Sequence, residues 1–477
     1  MTRIVVLGGG FAGLEAIRVL ERQYRRRADI ELLLVSDRNY LLFTPLLPQV
    51  ASSLVEPRHI VQPIRDIRGA RRFRFRRDTV CDIDLAGRRV ILAEGTIDYD
   101  RLVIAVGGVT PTFGIPGVEE YALNYKRLDD AVLLRDHLID LAEHADHEPD
   151  RERRRRMLTV CVVGGGYTGI ELVAELEDFF SSCVVPRYRG IEPGDYRLMV
   201  IEAGDEILRG VHPTLAERAQ RRLNREGIEI RVRTRVTRVL PGAVEVSGGT
   251  QLPVGLTIWA AGVKGHPTLS GLPVTRDRLG RIVVSNTLQI PGHPEVYGAG
   301  DAITIEGNPG ASIPIIPAAL AHARLAAENI IADLAGHPPA VIDFAPRGML
   351  VSLGERDAVV EVMGLKFSGY LAWLFWNALH LYKLVGFRKQ IQVALDSGRA
   401  RASARSREPA PSRRGPRLRS RLESPGIARC RLPGRLSGAC GRRRFRSRGC
   451  PRPGPRPGGR RELALREPEG SRRPGCL

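Results

Sequence analysis

The stretch that constrains the fold most is an apolar strand pattern that runs directly into a glycine-rich turn and then a helical pattern. The opening run Ile-Val-Val-Leu leads into Gly8, Gly10 and Gly13, spaced as G-x-G-x-x-G. Gly8 permits a tight turn, Gly10 leaves the backbone open to a pyrophosphate, and Gly13 lets the helix lie close to the strand. The helix N-terminus adds amide donors and a positive dipole end. Because a second apolar run ends at Asp37, which can accept hydrogen bonds from a ribose, residues 3–37 are predicted to form a dinucleotide-binding βαβ unit.

The same pattern recurs later in the chain. An apolar run leads into Gly164, Gly166 and Gly169, and a following strand pattern ends at Glu202. Two complete fingerprints predict that one chain binds two dinucleotides. Glu202 can accept a hydrogen bond from the 2′-hydroxyl of NADH and would repel the 2′-phosphate of NADPH, so NADH is the expected nucleotide of the second fold.

Three further strand patterns end in glycine turns, where the backbone can approach a cofactor. They cover residues 103–108, 257–262 and 293–301, and the last of them carries Asp301. An acid at that place is either a buried structural group or an acceptor for ribityl hydroxyls. An Ala-rich helical pattern over 318–334 follows, and its small residues allow close approach to a neighbouring surface.

Cysteine spacing and charge distribution exclude several classes of protein. The seven Cys show no C-x-x-C or metal-ligand spacing, so we expect neither a metal site nor dithiol chemistry. Of the net charge of +20, +19 belongs to residues 397–477, which contain 24 Arg and 5 Glu but no Lys or Asp. This tail is expected to be disordered, either as a nucleic-acid-binding arm or as a non-native segment from a shifted reading frame. Since residues 1–396 are nearly neutral, nucleic acid is not the expected partner.

The most apolar stretch, residues 368–387, follows two predicted antiparallel strands within 344–364. No uninterrupted apolar run reaches the roughly 20 residues that a membrane span needs. Trp373 and Trp376, together with nearby basic residues, suit the headgroup layer of a bilayer, which favours peripheral membrane attachment. A buried core helix or a dimer helix is the alternative.

In their order and spacing these motifs resemble the type II, non-proton-pumping NADH dehydrogenases of the two-dinucleotide flavoprotein superfamily. The resemblance covers about residues 1–396 and is carried by GGGFAGLEA, LLFTPLLPQVA, LVIAVGGVTPTFGIPG, VVGGGYTGIELVAEL, TIWAAGV, VYGAGDA and HLYKLVGFRKQ. It implies FAD in the first fold, NADH in the second, and a C-terminal segment on the cytoplasmic face of the cell membrane, or a cytoplasmic protein if the tail at 397–477 has replaced that membrane anchor. A hydride would pass from NADH to the flavin, and two electrons would then pass to a quinone.

The resemblance also assigns residues and domains within an α/β chain of two Rossmann-like folds. Glu171 matches an acid near the contact between nicotinamide and flavin. The residues matched to FAD contacts are Gly8, Gly10, Phe11, Ala12, Gly13, Asp37, Thr44, Pro45, Val80, Ala105, Gly107, Asp301 and Ala318. Those matched to NADH contacts are Gly164, Gly166, Tyr167, Thr168, Gly169, Glu202, Ala261 and Gly262. The implied domains are a discontinuous FAD domain (1–126 and 280–343), an NADH domain (127–279), a membrane-associating C-terminal part (344–396) and the basic tail (397–477).

The chain differs from the family in the region that is expected to bind the electron acceptor. Family members carry two Gln, four residues apart, on the helix that enters beside the flavin, and Pro317 and Ala321 stand in those places here. A family Lys near that site is replaced by Arg347. Only Arg347, His322 or backbone amides are left to donate a hydrogen bond to a quinone carbonyl. We therefore expect normal flavin reduction but weaker turnover with long-chain quinones.

The physiological acceptor and the oligomeric state, monomer or homodimer, stay open at this point. The preferred interpretation is an FAD-dependent NADH:quinone oxidoreductase. The alternative keeps NADH oxidation and replaces the quinone with a small redox protein or oxygen. A third interpretation is a nucleic-acid-binding flavoprotein that uses the Arg-rich tail.

Overall fold

The structure, a computed structural model, describes residues 1–67, 73–346, 348–383 and 393. Arg347 and the predicted disordered tail at 397–477 lie outside the described residues, as does the end of the predicted interfacial segment beyond residue 383. All described residues belong to one compact unit of the chain.

Strands and helices alternate in the manner that the repeated βαβ patterns predict. The helices are α1 (Phe11–Tyr24), α2 (Leu47–Ala51), α3 (Val118–Tyr121), α4 (Leu128–Asp146), α5 (Arg151–Met157), α6 (Tyr167–Phe179), α7 (Pro213–Arg225), α8 (Ile316–Leu334) and α9 (Tyr370–Lys383). The strands are β1 (Thr2–Leu7), β2 (Ile30–Ser36), β3 (Tyr40–Leu42), β4 (Val61–Pro63), β5 (Arg74–Arg77), β6 (Val80–Asp84), β7 (Arg89–Leu92), β8 (Gly95–Asp98), β9 (Arg101–Ile104), β10 (Gly108–Val109), β11 (Ala122–Asn124), β12 (Thr159–Val163), β13 (Arg197–Ile201), β14 (Glu229–Arg231), β15 (Val236–Leu240), β16 (Ala243–Val246), β17 (Gln251–Pro253), β18 (Leu256–Trp259), β19 (Lys264–Gly265), β20 (Ile282–Val284), β21 (Gln289–Ile290), β22 (His293–Gly298), β23 (Ile303–Ile305), β24 (Gly348–Ser352), β25 (Ala358–Val362) and β26 (Leu365–Ser368).

The first fingerprint lies at the centre of a six-stranded sheet with the order β21-β22-β9-β1-β2-β5. Its strands are parallel except for β21, which pairs antiparallel with β22. The apolar residues 4–7 of β1 are fully buried in a cluster that also contains apolar residues of α1, of α8 and of the antiparallel strands β6, β7 and β8. Helices α1 and α8 pack against each other beside this sheet. The predicted βαβ unit at the start of the chain is therefore confirmed.

The second fingerprint lies at the centre of a separate parallel sheet with the order β11-β18-β12-β13-β14. Strand β12 is buried along its whole length, and the apolar faces of α4, α6 and α7 belong to the same hydrophobic cluster. Two parallel sheets, each with a glycine-rich strand-to-helix turn, confirm the predicted α/β class with two Rossmann-like folds.

Residues 43–60 contain helical structure that was not predicted from the sequence. This part of the chain forms a short 3-10 helix (Thr44–Leu46) followed by α2. Phe43, Leu47 and Val50 are buried in the same cluster as the apolar residues of α4 and α6, although they precede the second fingerprint by more than a hundred residues. The segment that contains Phe43, Leu47 and Val50 therefore belongs to the hydrophobic core around the second sheet.

Beyond α8 the chain forms an antiparallel sheet and a last helix. The two predicted strands are present as β24 and β25, and β26 adds a third where the apolar segment was expected to begin. Helix α9 then packs against these strands. None of the described helices is long and apolar enough to cross a bilayer.

Candidate functional site

The two fingerprint loops have nearly the same backbone geometry. Gly8 has a φ of +108° and Gly164 a φ of +113°, which L side chains rarely adopt. A methyl group on Gly13 would lie 1.8 Å from the carbonyl oxygen of Gly8, and one on Gly169 would lie 1.9 Å from that of Gly164. Both helices therefore lie too close to their strands for any residue except glycine.

The middle glycine of each loop faces open space. Gly10 and Gly166 directly precede α1 and α6, and a methyl group on either would meet no atom within 4 Å. Within the described part of the chain, no side chain caps either helix N-terminus. An open surface beside uncapped amide groups fits a pyrophosphate, so each loop has the form that a dinucleotide requires.

The glycine turns after β9 and β18 lie next to the fingerprint loops. A methyl group on Gly8 would lie 2.2 Å from the carbonyl oxygen of Ala105, and one on Gly164 would lie 3.0 Å from the Cα of Ala261. Gly262 follows with a φ of +73°. At the carboxyl ends of the strands in each sheet, the fold thus brings the fingerprint loop next to a glycine turn that is distant in sequence. Parallel sheets of this kind bind their ligands at that edge.

The acids that follow β2 and β13 differ in how they are held. Both carboxylate oxygens of Glu202 accept backbone hydrogen bonds at 2.7 Å, one from Gly165 and one from Gly204. Asp37 is more open, with 57% of its side chain exposed and the guanidinium of Arg38 at 3.9 Å. Because a carboxylate oxygen has two lone pairs, Glu202 can accept these two backbone hydrogen bonds and still accept a further one from a ribose hydroxyl.

Asp301 lies at the turn after β22 and forms an ion pair that the sequence did not predict. The Nζ atom of Lys126 lies 3.3 Å from Oδ2 of Asp301, and both side chains are partly exposed. A methyl group on Gly108 would meet the Cβ of Asp301 at 3.3 Å, which places this acid beside the first glycine turn. Nothing in the local sequence pairs residues 126 and 301, because only the fold brings them together.

His322 cannot serve as the quinone donor that the sequence allowed. Its Nδ1 atom accepts a hydrogen bond from the backbone N–H of Gly300, and its Nε2 atom donates to the carbonyl of Ala311 at 2.8 Å. The side chain is fully buried, and burial lowers the pKa of His322, which keeps the ring neutral. Pro317 is exposed and Ala321 partly buried near the start of α8, so neither offers a side-chain donor.

Glu171 lies on α6 between the second fold and the C-terminal segment. Its Oε1 atom accepts hydrogen bonds from the backbone N–H of Ser352 at 3.0 Å and from Nε1 of Trp376 at 3.2 Å. Burial raises the pKa of Glu171 to about 8, against the lowering effect of those two bonds and with a smaller rise from Glu175. A carboxyl group with its pKa raised in this way can take up or release a proton near neutral pH.

Glu175, one helical turn after Glu171, was missed by the sequence reading. Its Oε1 atom accepts a hydrogen bond of 2.6 Å from Gln49, and its Oε2 atom accepts one of 3.4 Å from Ser52. The hydroxyl of Tyr125 is buried without a hydrogen-bond partner among the described residues, and burial with nearby Glu175 and Glu171 raises the pKa of Tyr125 well above its ordinary value. The E-x-x-x-E spacing on α6 was the one local signal that a second acid faces the same way.

A line of aromatic rings connects the first fingerprint to α9. The ring centroids of Phe11 and Phe43 are 6.1 Å apart, and those of Phe43 and His380 are also 6.1 Å apart. His380 then packs on Trp376 at 4.1 Å, and Trp376 donates to Glu171. Helix α9 therefore contacts Phe43 through His380 and Glu171 through Trp376, and Phe43 in turn contacts Phe11 of the first fingerprint.

The remaining predicted residues take these positions. Thr44 and Pro45 follow Phe43 in the short 3-10 helix, and Ala318 is fully buried in the first turn of α8. Val80 begins β6, where its carbonyl accepts from Thr268 Oγ1 at 3.4 Å. Ala12 is buried in α1, Gly107 has a φ of +74°, Tyr167 is partly buried at the start of α6, and Thr168 is exposed beside it.

Comparison with known proteins gives consistent matches over most of the chain. The family described as pyridine nucleotide-disulphide oxidoreductase matches residues 2–323. The type II NADH:quinone oxidoreductase Ndh of Mycobacterium tuberculosis is 33% identical over 409 residues, which cover 82% of this chain and 86% of the relative. Demethylphylloquinone reductase NdbB of Synechocystis is 31% identical over 404 residues, covering 83% of this chain and 95% of the relative.

A solved structure has the same fold at lower sequence similarity. NDH2 from Plasmodium falciparum, determined in complex with NADH, superposes with a TM-score of 0.75 at 20% identity. The match covers 85% of this chain and 99% of that protein. At this level of identity the superposition supports the fold.

Proposed function

We infer that this chain, which belongs to the pyridine nucleotide-disulphide oxidoreductase family and within it to the type II NADH:quinone oxidoreductases, oxidises NADH by means of a bound FAD and reduces a quinone. The observation that carries this function is the pair of matching glycine loops. Each has a middle glycine facing open space beside an uncapped helix N-terminus.

The first loop is the proposed FAD site. Its pyrophosphate would lie against Gly10 and the amides at the start of α1, and Asp37 would accept hydrogen bonds from the adenosine ribose. Asp301, held by Lys126 at 3.3 Å, would accept from ribityl hydroxyls. Bound FAD supplies a ring system that takes up a hydride and passes on two electrons. The discontinuous FAD domain (1–126 and 280–343) is proposed on the same basis.

The second loop is the proposed NADH site, within a domain that spans residues 127–279. Gly166 and the start of α6 would hold the pyrophosphate, and Glu202 would accept the 2′-hydroxyl. Two bonds of 2.7 Å fix the Glu202 carboxylate at the loop, so a 2′-phosphate would be placed against a negative charge that cannot turn away. The expected preference is therefore for NADH over NADPH.

Glu171 is the proposed proton-holding group. It lies on α6 and faces α9, and its Oε1 atom accepts hydrogen bonds from Ser352 and Trp376. Reduction of a quinone consumes protons as well as electrons, and a carboxyl group with a pKa of about 8 can donate a proton near neutral pH.

The acceptor is proposed to enter near Pro317 and Ala321, at the start of α8. Those residues give the acceptor an apolar wall with no side-chain donor, and His322 is committed to Gly300 and Ala311. Turnover with long-chain quinones is therefore expected to be slower than flavin reduction. An acceptor other than a quinone is the second candidate, favoured because none of Pro317, Ala321 and His322, the described residues of this region, offers a free side-chain donor.

Peripheral attachment to the cytoplasmic face of a membrane is proposed from exposed apolar side chains of the C-terminal part. Leu371 and Tyr382 on α9 are 72% and 81% exposed. Met363, in the turn after β25, and Leu365, the first residue of β26, are 84% and 72% exposed. Such side chains can enter the interfacial region of a bilayer. The proposal is a contact with the membrane surface, and a homodimer through the same face is its alternative.

Separate measurement of the two half-reactions tests the function. The purified protein should be yellow with non-covalent FAD, and NADH should bleach the flavin in a stopped-flow mixing experiment. A panel of quinones, a redox protein and oxygen would then be mixed with the reduced protein. A folded preparation that is colourless and cannot be reconstituted with FAD would contradict the proposal.

A further inference from the structure

Phe113 is a large aromatic residue in an unfavourable place for one. Its backbone has a φ of +52°, in the left-handed region, and 57% of the residue is exposed to solvent. A bulky residue held at positive φ costs about 1–2 kcal/mol relative to ordinary backbone. Burial does not offset this cost, because Phe113 belongs to none of the buried clusters of the described residues.

The backbone around Phe113 is anchored on both sides, so its position is fixed rather than accidental. On one side, Nε1 of Trp259 donates to the carbonyl of Pro111 at 2.8 Å in a buried contact. On the other side, the N–H of Ile115 donates to the carbonyl of Thr112 at 3.0 Å. Phe113 therefore lies in a turn whose backbone is held by hydrogen bonds on both sides.

The ring points at the second glycine turn. A methyl group on Gly262 would meet Cζ of Phe113 at 3.4 Å, in ordinary van der Waals contact. The preceding residue, Ala261, lies against Gly164 of the second fingerprint loop. The exposed aromatic ring thus lies at the carboxyl edge of the second sheet, beside the turns that form the proposed nucleotide site.

We propose that Phe113 is a binding residue of the NADH site, whose ring forms a side wall against the nucleotide where it passes the Gly262 turn. The proposal rests on the proposed NADH site and adds a residue to it from the other fold. With NADH bound, the exposed ring would gain an apolar contact and exclude water from one side of the ligand. The strain at Phe113 is then explained by a contact that the free protein does not make.

The test uses two substitutions at Phe113 in the full-length, FAD-loaded protein. Phe113→Asn removes the ring and tolerates positive φ, so the melting temperature should stay the same or rise. The dissociation constant for NADH, measured from the concentration dependence of flavin reduction in stopped flow, should increase about three- to tenfold, the size of one aromatic contact. Phe113→Tyr keeps the ring and should retain the affinity of the unmodified protein.

Arg356→Asn is the matched control, since Arg356 has a φ of +61° and a side chain that is 74% exposed on a different turn. It should leave NADH affinity unchanged. Equal NADH affinity in Phe113→Asn and the unmodified protein would overturn the proposal, as would a large loss of melting temperature or of bound FAD in that variant. If the unmodified FAD-loaded protein failed to bind NADH at all, the proposed function would fail together with this inference.

Discussion

Replacing the middle glycine of each fingerprint loop separates ligand binding from folding. Gly166 precedes α6 with a φ of −76° and a ψ of −174°, an extended conformation that any residue adopts, and an added methyl group meets no protein atom within 4 Å. Gly166→Ala should therefore change the free energy of unfolding by less than about 1 kcal/mol. The same methyl group stands where a pyrophosphate would approach the backbone. Loss of one charge-assisted hydrogen bond there costs about 1.5–3 kcal/mol, which corresponds to an affinity for NADH that is about 10- to 150-fold weaker.

The assay compares three properties of the same purified variants: melting temperature, FAD content from the visible spectrum, and NADH affinity from stopped-flow flavin reduction. Gly166→Ala should keep its yellow colour and melting temperature and lose NADH affinity. Gly10→Ala, in the first loop, has the same open surroundings and should instead lose FAD while remaining folded.

Gly169→Ala is the contrasting variant. Its methyl group would lie 1.9 Å from the carbonyl oxygen of Gly164, so the loop and helix must separate by more than about 1 Å, at a cost of about 1–3 kcal/mol or more. That variant should melt at a lower temperature. If Gly166→Ala bound NADH as tightly as the unmodified protein, the assignment of the open glycine to the pyrophosphate would be wrong.

Three further substitutions test the acids and the acceptor end. Because burial raises the pKa of Glu171 to about 8, the turnover rate should change with pH near that value, and Glu171→Gln should abolish this pH dependence. The folded form binds this proton more tightly than the unfolded chain. The free energy of unfolding of the unmodified protein should therefore fall, relative to that of Glu171→Gln, as the pH rises towards about 8. Glu202→Gln turns an amide NH₂ towards a backbone N–H, so it should lower stability by about 1–3 kcal/mol and narrow the difference in kcat/KM between NADH and NADPH. Ala321→Gln should supply a donor beside α8 and raise quinone turnover at an unchanged rate of flavin reduction.

A pH profile of Glu171→Gln that is superimposable on that of the unmodified protein would remove Glu171 from proton transfer. Equal catalytic efficiency with both nucleotides before any substitution would contradict the role of Glu202. Fast quinone reduction by the unmodified protein would show that the apolar wall at Ala321 does not limit turnover.

Local sequence determined the two dinucleotide folds and their glycine loops. Strand, turn and helix in each fingerprint are neighbours in the chain, and the need for Gly8 and Gly164 follows from a positive φ within the turn itself. Buried apolar runs ending at Asp37 and Glu202 likewise marked the strands that pair next to the fingerprint strands. These features were predictable because their physical causes act over a few residues.

The tertiary structure alone decided which distant groups meet. Gln49 reaches Glu175, Lys126 reaches Asp301, and Phe113 reaches the second glycine turn across separations that no periodicity encodes. The same is true of His322, whose sequence position suggested a donor but whose two ring nitrogens are bonded inside the first fold. Such contacts form only when the burial of apolar surface brings separate elements together. The hydrophobic free energy depends on the whole packed core, so the residues of one stretch do not reveal which distant side chains they will contact.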